Sequence, residues 1–269
     1  MATLIAKRLS GEPLGAVADD TDTDPSWRSL YRMGAVSAAL YILMIILPVV
    51  LVFTVPQPPY SGGAEVLQYI GSNKPLYMIE FVSFVGLALP AMVVFLALYV
   101  AFRHLDKAYA ALGALIGIAS EIAAIAYNSS PPSLNGGLLH LSDQYMAAAT
   151  DAQRASLATA AESLMAVSNT TVNAIGIMTA LGILFISLPM LRGESSRGIA
   201  YLGIATGIVG ILAEPLRELI GFGYLAYGLL LPVWFAAVGW KLYRLGSSRL
   251  QSRIEERPEV GTGRRNEGG

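Results

Sequence analysis

The groups able to do chemistry in this 269-residue chain are a few ionisable and amide side chains set inside long apolar runs. Glu121 is the only charge within the run from Lys107 to Asn128. Asn169 and Asn173 stand four apart, which puts them on one helical face, and Gly176 continues that stripe. Glu214 and Glu218 are also four apart, with Arg217 three from Glu214. Glu80 lies about one turn inside another apolar run. A carboxylate left ionised and alone in hydrocarbon is very unfavourable, so Glu121 needs a partner or a proton. Polar groups at such depth face a bundle interior or a water-filled cavity. Arg217 is the only basic residue within an outer half-span and is the natural counter-ion. We therefore expect Glu121, Asn169, Asn173, Glu214 and Arg217 to line an outward-facing polar pocket for a small molecule, with Glu80 and Glu218 as secondary members. The structural alternative keeps Glu80 and Glu218 at the head groups. It makes the two asparagines interhelical hydrogen-bonding groups worth under about 2 kcal/mol per contact, and Arg217–Glu214 a local pair.

Other chemistry has little to build on. The chain has no Cys and two His, His104 and His140, both in expected loops and without a carboxylate at ligand spacing. There is no HExxH, no GxSxG turn and no phosphate-binding loop. We expect no metal and no cofactor. A net charge of −1 gives no basic field for nucleic acid. An intramembrane enzyme using Glu121 and Glu214 as an acid/base pair stays open as a third class, but no nucleophile accompanies the carboxylates.

The elements that must position these residues follow from composition. Hydrophobic residues make up 54% and charged residues 14%, with mean hydropathy +0.55. A soluble domain carries about 25% charged residues. A membrane helix needs roughly 20 apolar residues, and six segments qualify: 33–55, 76–101, 107–128, 163–191, 198–220 and 224–243. The expectation is an all-α, polytopic membrane bundle of six transmembrane helices. The fifth span is clean only to Ala213. It reaches full length through Glu214 to Ile220 with a kink at Pro215, or else breaks at Glu214. Pro48, Pro90, Pro189, Pro215 and Pro232 interrupt five spans. Fifteen of the 18 Lys and Arg fall on one side of the alternation, with Lys74, Arg154 and Arg217 opposite. By the positive-inside bias, both termini are cytoplasmic and the protein sits in the cytoplasmic membrane.

Residues 1–27 form an acidic segment without a secretory signal, and residues 246–269 a polar tail; both are expected to be disordered. Residues 56–75 read as an outer loop. Residues 129–162 read as a longer loop, opening on the breakers Ser129 to Gly137 and then turning helical. Thr150 and Gln153 fit a capping box, so a helix starting there should run unbroken into the fourth span, about 60 Å in all.

Glycines at four-residue spacing, Gly113/Gly117 and Gly203/Gly207, allow close helix approach. They serve either packing within the bundle or a homodimer. Leu112-Gly113…Gly117-Ile118 repeats as Leu202-Gly203…Gly207-Ile208, a short glycine-driven match.

Arg32-Met33-Gly34 leading to Tyr41, Leu96-Ala97-Leu98-Tyr99 running into Leu105-Asp106-Lys107, and Tyr201-Leu202-Gly203-Ile204 also carry a family resemblance. Over residues 28–245 the chain resembles the bacterial six-helix membrane proteins of domain of unknown function family 4386. The resemblance implies six helices in a bacterial membrane and no established activity. Two functional classes follow from the residues: small-molecule binding or transport through the outer pocket, or a structural or accessory membrane protein whose polar groups only specify packing.

Overall fold

In hydrocarbon every backbone N–H and C=O must be paired within the segment, so apolar runs of this length become helices. A computed structural model describes residues 25–54, 62–127 and 136–247, and among them there is no strand. The helices are α1 (Arg28–Thr54), α2 (Gly63–Ser72), α3 (Lys74–Phe102), α4 (Lys107–Tyr127), α5 (Gly136–Ala147), α6 (Asp151–Met190), α7 (Arg197–Ala213), α8 (Arg217–Ile220) and α9 (Leu225–Ser247). Six helical segments are long and apolar enough to cross a membrane: α1, α3, α4, α6, α9, and α7 together with the 3-10 turn Glu194–Ser196 that leads into it. Apolar side chains also cover the outside of these helices: Val36, Leu43, Leu89, Leu115, Leu212 and Leu229 are all more than half exposed. A helix apolar all round suits lipid, not water. The protein is a multi-pass membrane protein.

One end of the bundle gathers the start of α1, the end of α9 and the short α3–α4 and α6–α7 connections. Arg32 Nε donates to Gly246 O at 3.2 Å. Arg192 donates to Leu105 O at 2.8 Å and pairs with Asp106 at 2.9 Å. Arg103 lies 5.5 Å over the Trp27 ring. We call this the terminal end. The core beside it packs Tyr31, Phe102, Leu105, Met190 and Leu245.

The opposite end carries a small helical module. The helix α6 has 40 residues and starts at Thr150, whose side chain accepts from Gln153 N–H. Gln153 Oε1 in turn accepts from Ala149 N–H. The first turns of α6 pack with α2 and α5 around Val66, Leu67, Ile70, Tyr77, Leu138 and Ala161. Gly63 sits where any Cβ would collide with the Ala158 carbonyl of α6, and its N–H donates to Glu162. Residues 63–72 are therefore a helix, not part of a loop. Val66, Leu67 and Ile70 form one buried face, a pattern masked by the Pro- and Gly-rich stretch before it. Likewise α5 begins at Gly136, inside the expected breaker cluster. At the other end α9 runs two residues into the expected tail. The acidic segment up to residue 24, most of the tail and the breaker residues 129–135 lie outside the described residues.

The paired glycines are used within the chain. From one side α4 meets α6, where a Cβ at Gly113 would collide with the Ile186 backbone and one at Gly182 would lie 2.8 Å from Gly117 Cα. From another side α7 meets α6, where a Cβ at Gly207 would lie 2.8 Å from Ala180 O and one at Gly203 would collide with Ser187 Oγ. The two short motifs thus pack against the same stretch of α6, residues 180–187. That leaves these four glycines engaged inside the bundle.

Candidate functional site

The fifth span breaks rather than kinks. Helical geometry continues through Glu214 (φ −60°, ψ −53°), whose N–H still reaches Gly210 O at 3.0 Å. Pro215 has no N–H to donate, and by Leu216 (φ −100°, ψ 7°) the chain has left the helix. The four-residue α8 follows and ends at Gly221, whose φ of +48° favours glycine. A single 3-10 turn, Gly221–Tyr224, then leads into α9.

This break folds three polar side chains onto one another. Arg217 Nη2 donates to Glu214 Oε2 at 2.7 Å and to Tyr224 Oη at 2.5 Å. Tyr224 Oη donates to Glu214 Oε1 at 2.8 Å, and the guanidinium carbon lies 4.3 Å from the Tyr224 ring centre. The triangle joins the end of α7 to the start of α9. Glu214 is 2% exposed, so its charge is answered almost wholly by these two partners. Arg217 Nε is buried without a hydrogen-bond partner among the described residues. The carboxylate reaches across to α6, where Gly176 makes way for it. Gly176 is the residue that continues the Asn169–Asn173 stripe.

Glu121 sits about 21 Å along α4 from its terminal end. It is 8% exposed, so it points into the bundle and not at lipid. Among the described residues it makes no hydrogen bond and no ion pair; Arg217 pairs with Glu214 instead. Tyr227 of α9 meets the Tyr224 ring edge-on, with ring centres 5.9 Å apart. Beside Glu121, Ser120 donates to Gly117 O at 2.7 Å and accepts from Thr179 of α6 at 3.0 Å. Tyr41 stacks on Phe235, with ring centres 3.7 Å apart, and Trp234 meets Phe235 edge-on at 5.2 Å.

The five expected pocket residues divide. Glu214 and Arg217 bond directly, and Glu121 bonds to neither. Asn169 is exposed and Asn173 half-buried on α6, and neither hydrogen-bonds to the other three. The side chains of Glu80 and Glu218 are not among those described. Reading the sequence for charges and amides missed Tyr41, Tyr224 and Tyr227. For Tyr41 there was a signal, depth: aromatic hydroxyls belong at membrane interfaces, yet Tyr41 lies 13 residues inside α1; Tyr224 and Tyr227 stand at the start of the last span and gave none.

A family described as Domain of unknown function (DUF4386) matches residues 36–246. The chain belongs to that family. No curated protein and no solved structure matches it. The DUF4386 match spans all but the first turns of α1 and reaches the end of α9, so the Glu214–Arg217–Tyr224 triangle, Glu121 and Gly176 all lie within it. The description of the DUF4386 family brings no activity, so roles for these residues rest on their geometry.

Proposed function

We propose that this DUF4386 protein binds a small molecule, and carries it across the cytoplasmic membrane, through a polar site in the half of the bundle away from the termini. The lysine and arginine bias puts the termini in the cytoplasm, and the site then faces outward. The observation that carries this reading is Glu121, buried inside the bundle with no hydrogen bond or ion pair among the described residues. A helix bundle that needed only packing would gain stability from an apolar residue there. An intramembrane carboxylate kept at that cost is a functional group by default. Glu121 and Tyr227 line the site, and Glu214, Arg217 and Tyr224 form its wall. The structural reading draws on the triangle, which satisfies most of its own polar groups and pins α7 to α9.

Dicyclohexylcarbodiimide, an apolar reagent for protonated carboxyl groups, separates the two. Purified protein in mild detergent should take the label on Glu121, located by peptide mass spectrometry, and Glu121→Gln should lose it. If Glu121 reacts only after unfolding in dodecyl sulfate, no accessible site exists and the structural reading stands.

A further inference from the structure

We propose that the terminal end carries a binding site for the phosphate of an anionic phospholipid, built on Arg103 with Trp27 and Tyr99. Arg103 is the first residue past α3, and its backbone N–H donates to Tyr99 O at 2.9 Å. The guanidinium carbon lies 5.5 Å from the Trp27 ring centre and 5.9 Å from that of Tyr99. Trp27 ends the 3-10 turn Pro25–Trp27 that precedes α1. The cation therefore joins two helices that pack closely deeper in the bundle, where a Cβ at Gly34 would lie 2.7 Å from Ala97 Cβ. Ring faces attract the charge of a guanidinium and leave its in-plane N–H donors to other acceptors. Among the described residues those donors make no hydrogen bond and no ion pair. Arg32, Arg192 and Arg197, at the same end, each donate to a backbone carbonyl instead. The nearest acid in sequence, Asp106, is taken by Arg192 at 2.9 Å.

Depth and charge decide the occupant. Tyr109, Tyr201, Trp240 and Tyr243 are exposed at this same end of α4, α7 and α9. Such a belt of aromatic residues marks a membrane–water interface, so Arg103 lies at head-group level. Leu96 and Leu89, both exposed, follow Arg103 at seven-residue steps along α3, about 10 and 21 Å further into the bundle. Seven residues are close to two helical turns, so the three stand on nearly one face. A fork of N–H donors above an apolar, lipid-facing stripe fits a phosphate above acyl chains. Arg28, Lys107 and Arg244 add positive charge at this end, which favours a lipid of net negative charge over a zwitterion. The competing occupant is the acidic segment of this chain, with Asp19, Asp20, Asp22 and Asp24.

Native mass spectrometry of the full-length protein in mild detergent tests this, with dioleoyl phosphatidylglycerol or dioleoyl phosphatidylcholine titrated in. The first phosphatidylglycerol should bind at least about fivefold more tightly than the first phosphatidylcholine. Arg103→Gln should remove most of that preference. Arg244→Gln deletes an equal charge at the same end and should leave it within about twofold. Trp27→Leu should weaken phosphatidylglycerol a few-fold although every Lys and Arg remains. No preference in the wild type, or equal losses in Arg103→Gln and Arg244→Gln, would mean that only a general positive field meets the lipid, and the proposal falls. Inorganic phosphate at millimolar concentration should not displace the lipid; if it does, the site serves soluble phosphate instead. Replacing the four acids together, Asp19→Asn, Asp20→Asn, Asp22→Asn and Asp24→Asn, should leave the Arg103 dependence in place. If Arg103-dependent lipid binding emerges only in that variant, the acidic segment is the occupant and the lipid is not. Thermal unfolding in the same detergent confirms that each variant is folded.

Discussion

The carboxylate of Glu214 occupies the space beside the α carbon of Gly176, so that any Cβ at 176 would overlap it. The two residues lie on different helices, α7 and α6, and the contact sets how deeply the Glu214–Arg217–Tyr224 triangle sits in the bundle. Gly176→Ala must push the carboxylate away, loosening hydrogen bonds of 2.7 and 2.8 Å. Overpacking of this kind costs about 1–3 kcal/mol. Thermal unfolding in detergent should show that loss for Gly176→Ala. A double-mutant cycle with Glu214→Ala should be strongly sub-additive, because the shortened side chain removes the clash. Additive losses would mean that the contact is not what Gly176 provides.

Removing Arg217 tests the triangle from its other corner. Arg217→Met leaves Glu214, 2% exposed, with Tyr224 as its one remaining hydrogen-bond donor among the described residues. Breaking a buried pair on one side costs about 3–5 kcal/mol, whereas replacing both partners is far milder. Arg217→Met should therefore destabilise strongly, and Glu214→Gln with Arg217→Met should recover most of the loss. Tyr224→Phe removes one neutral donor and should cost about 1 kcal/mol. The order of the three unfolding temperatures checks this account. If Arg217→Met proves the mildest, the ion pair is not what holds α7 to α9.

The scaffold was legible because lipid imposes a length. Runs of about 20 apolar residues admit one structure, and Thr150 with Gln153 marked the start of the 40-residue helix. The helix α2 was hidden, since ten residues following a Pro- and Gly-rich stretch give too few turns for a period to stand out. At Glu214-Pro215 the sequence offered a kink or a break, and only the downstream contacts of Arg217 and Tyr224 decide for the break. Glu121 and the Glu214–Arg217 pair could be read as buried polar groups from rarity alone. Which acid takes the arginine could not, because that depends on where α4 stands relative to the end of α7. Tyr224 was missed for a related reason: a phenol is apolar enough to pass within a span, and its hydroxyl becomes informative only beside the Glu214 carboxylate.

The glycines of α4 and α7 distinguish packing within the chain from association between chains. A Cβ at Gly113 would collide with backbone atoms of Ile186, and no rotamer change can relieve a clash with backbone. At Gly117 the obstacle is the Phe95 ring, 2.5 Å away, which can tilt. Gly113→Ala should therefore cost about 1–3 kcal/mol in thermal unfolding, and Gly117→Ala less. On α7, Gly207→Ala meets Ala180 O at 2.8 Å and should resemble Gly113→Ala. None of these variants should change the oligomeric mass of the folded fraction, measured by light scattering with the detergent contribution subtracted, because each glycine already faces α6 or α3 of its own chain. If Gly113→Ala instead shifted the mass of a well-folded protein, the glycine face would be a surface between chains, and its close fit against Ile186 would not be the contact that matters.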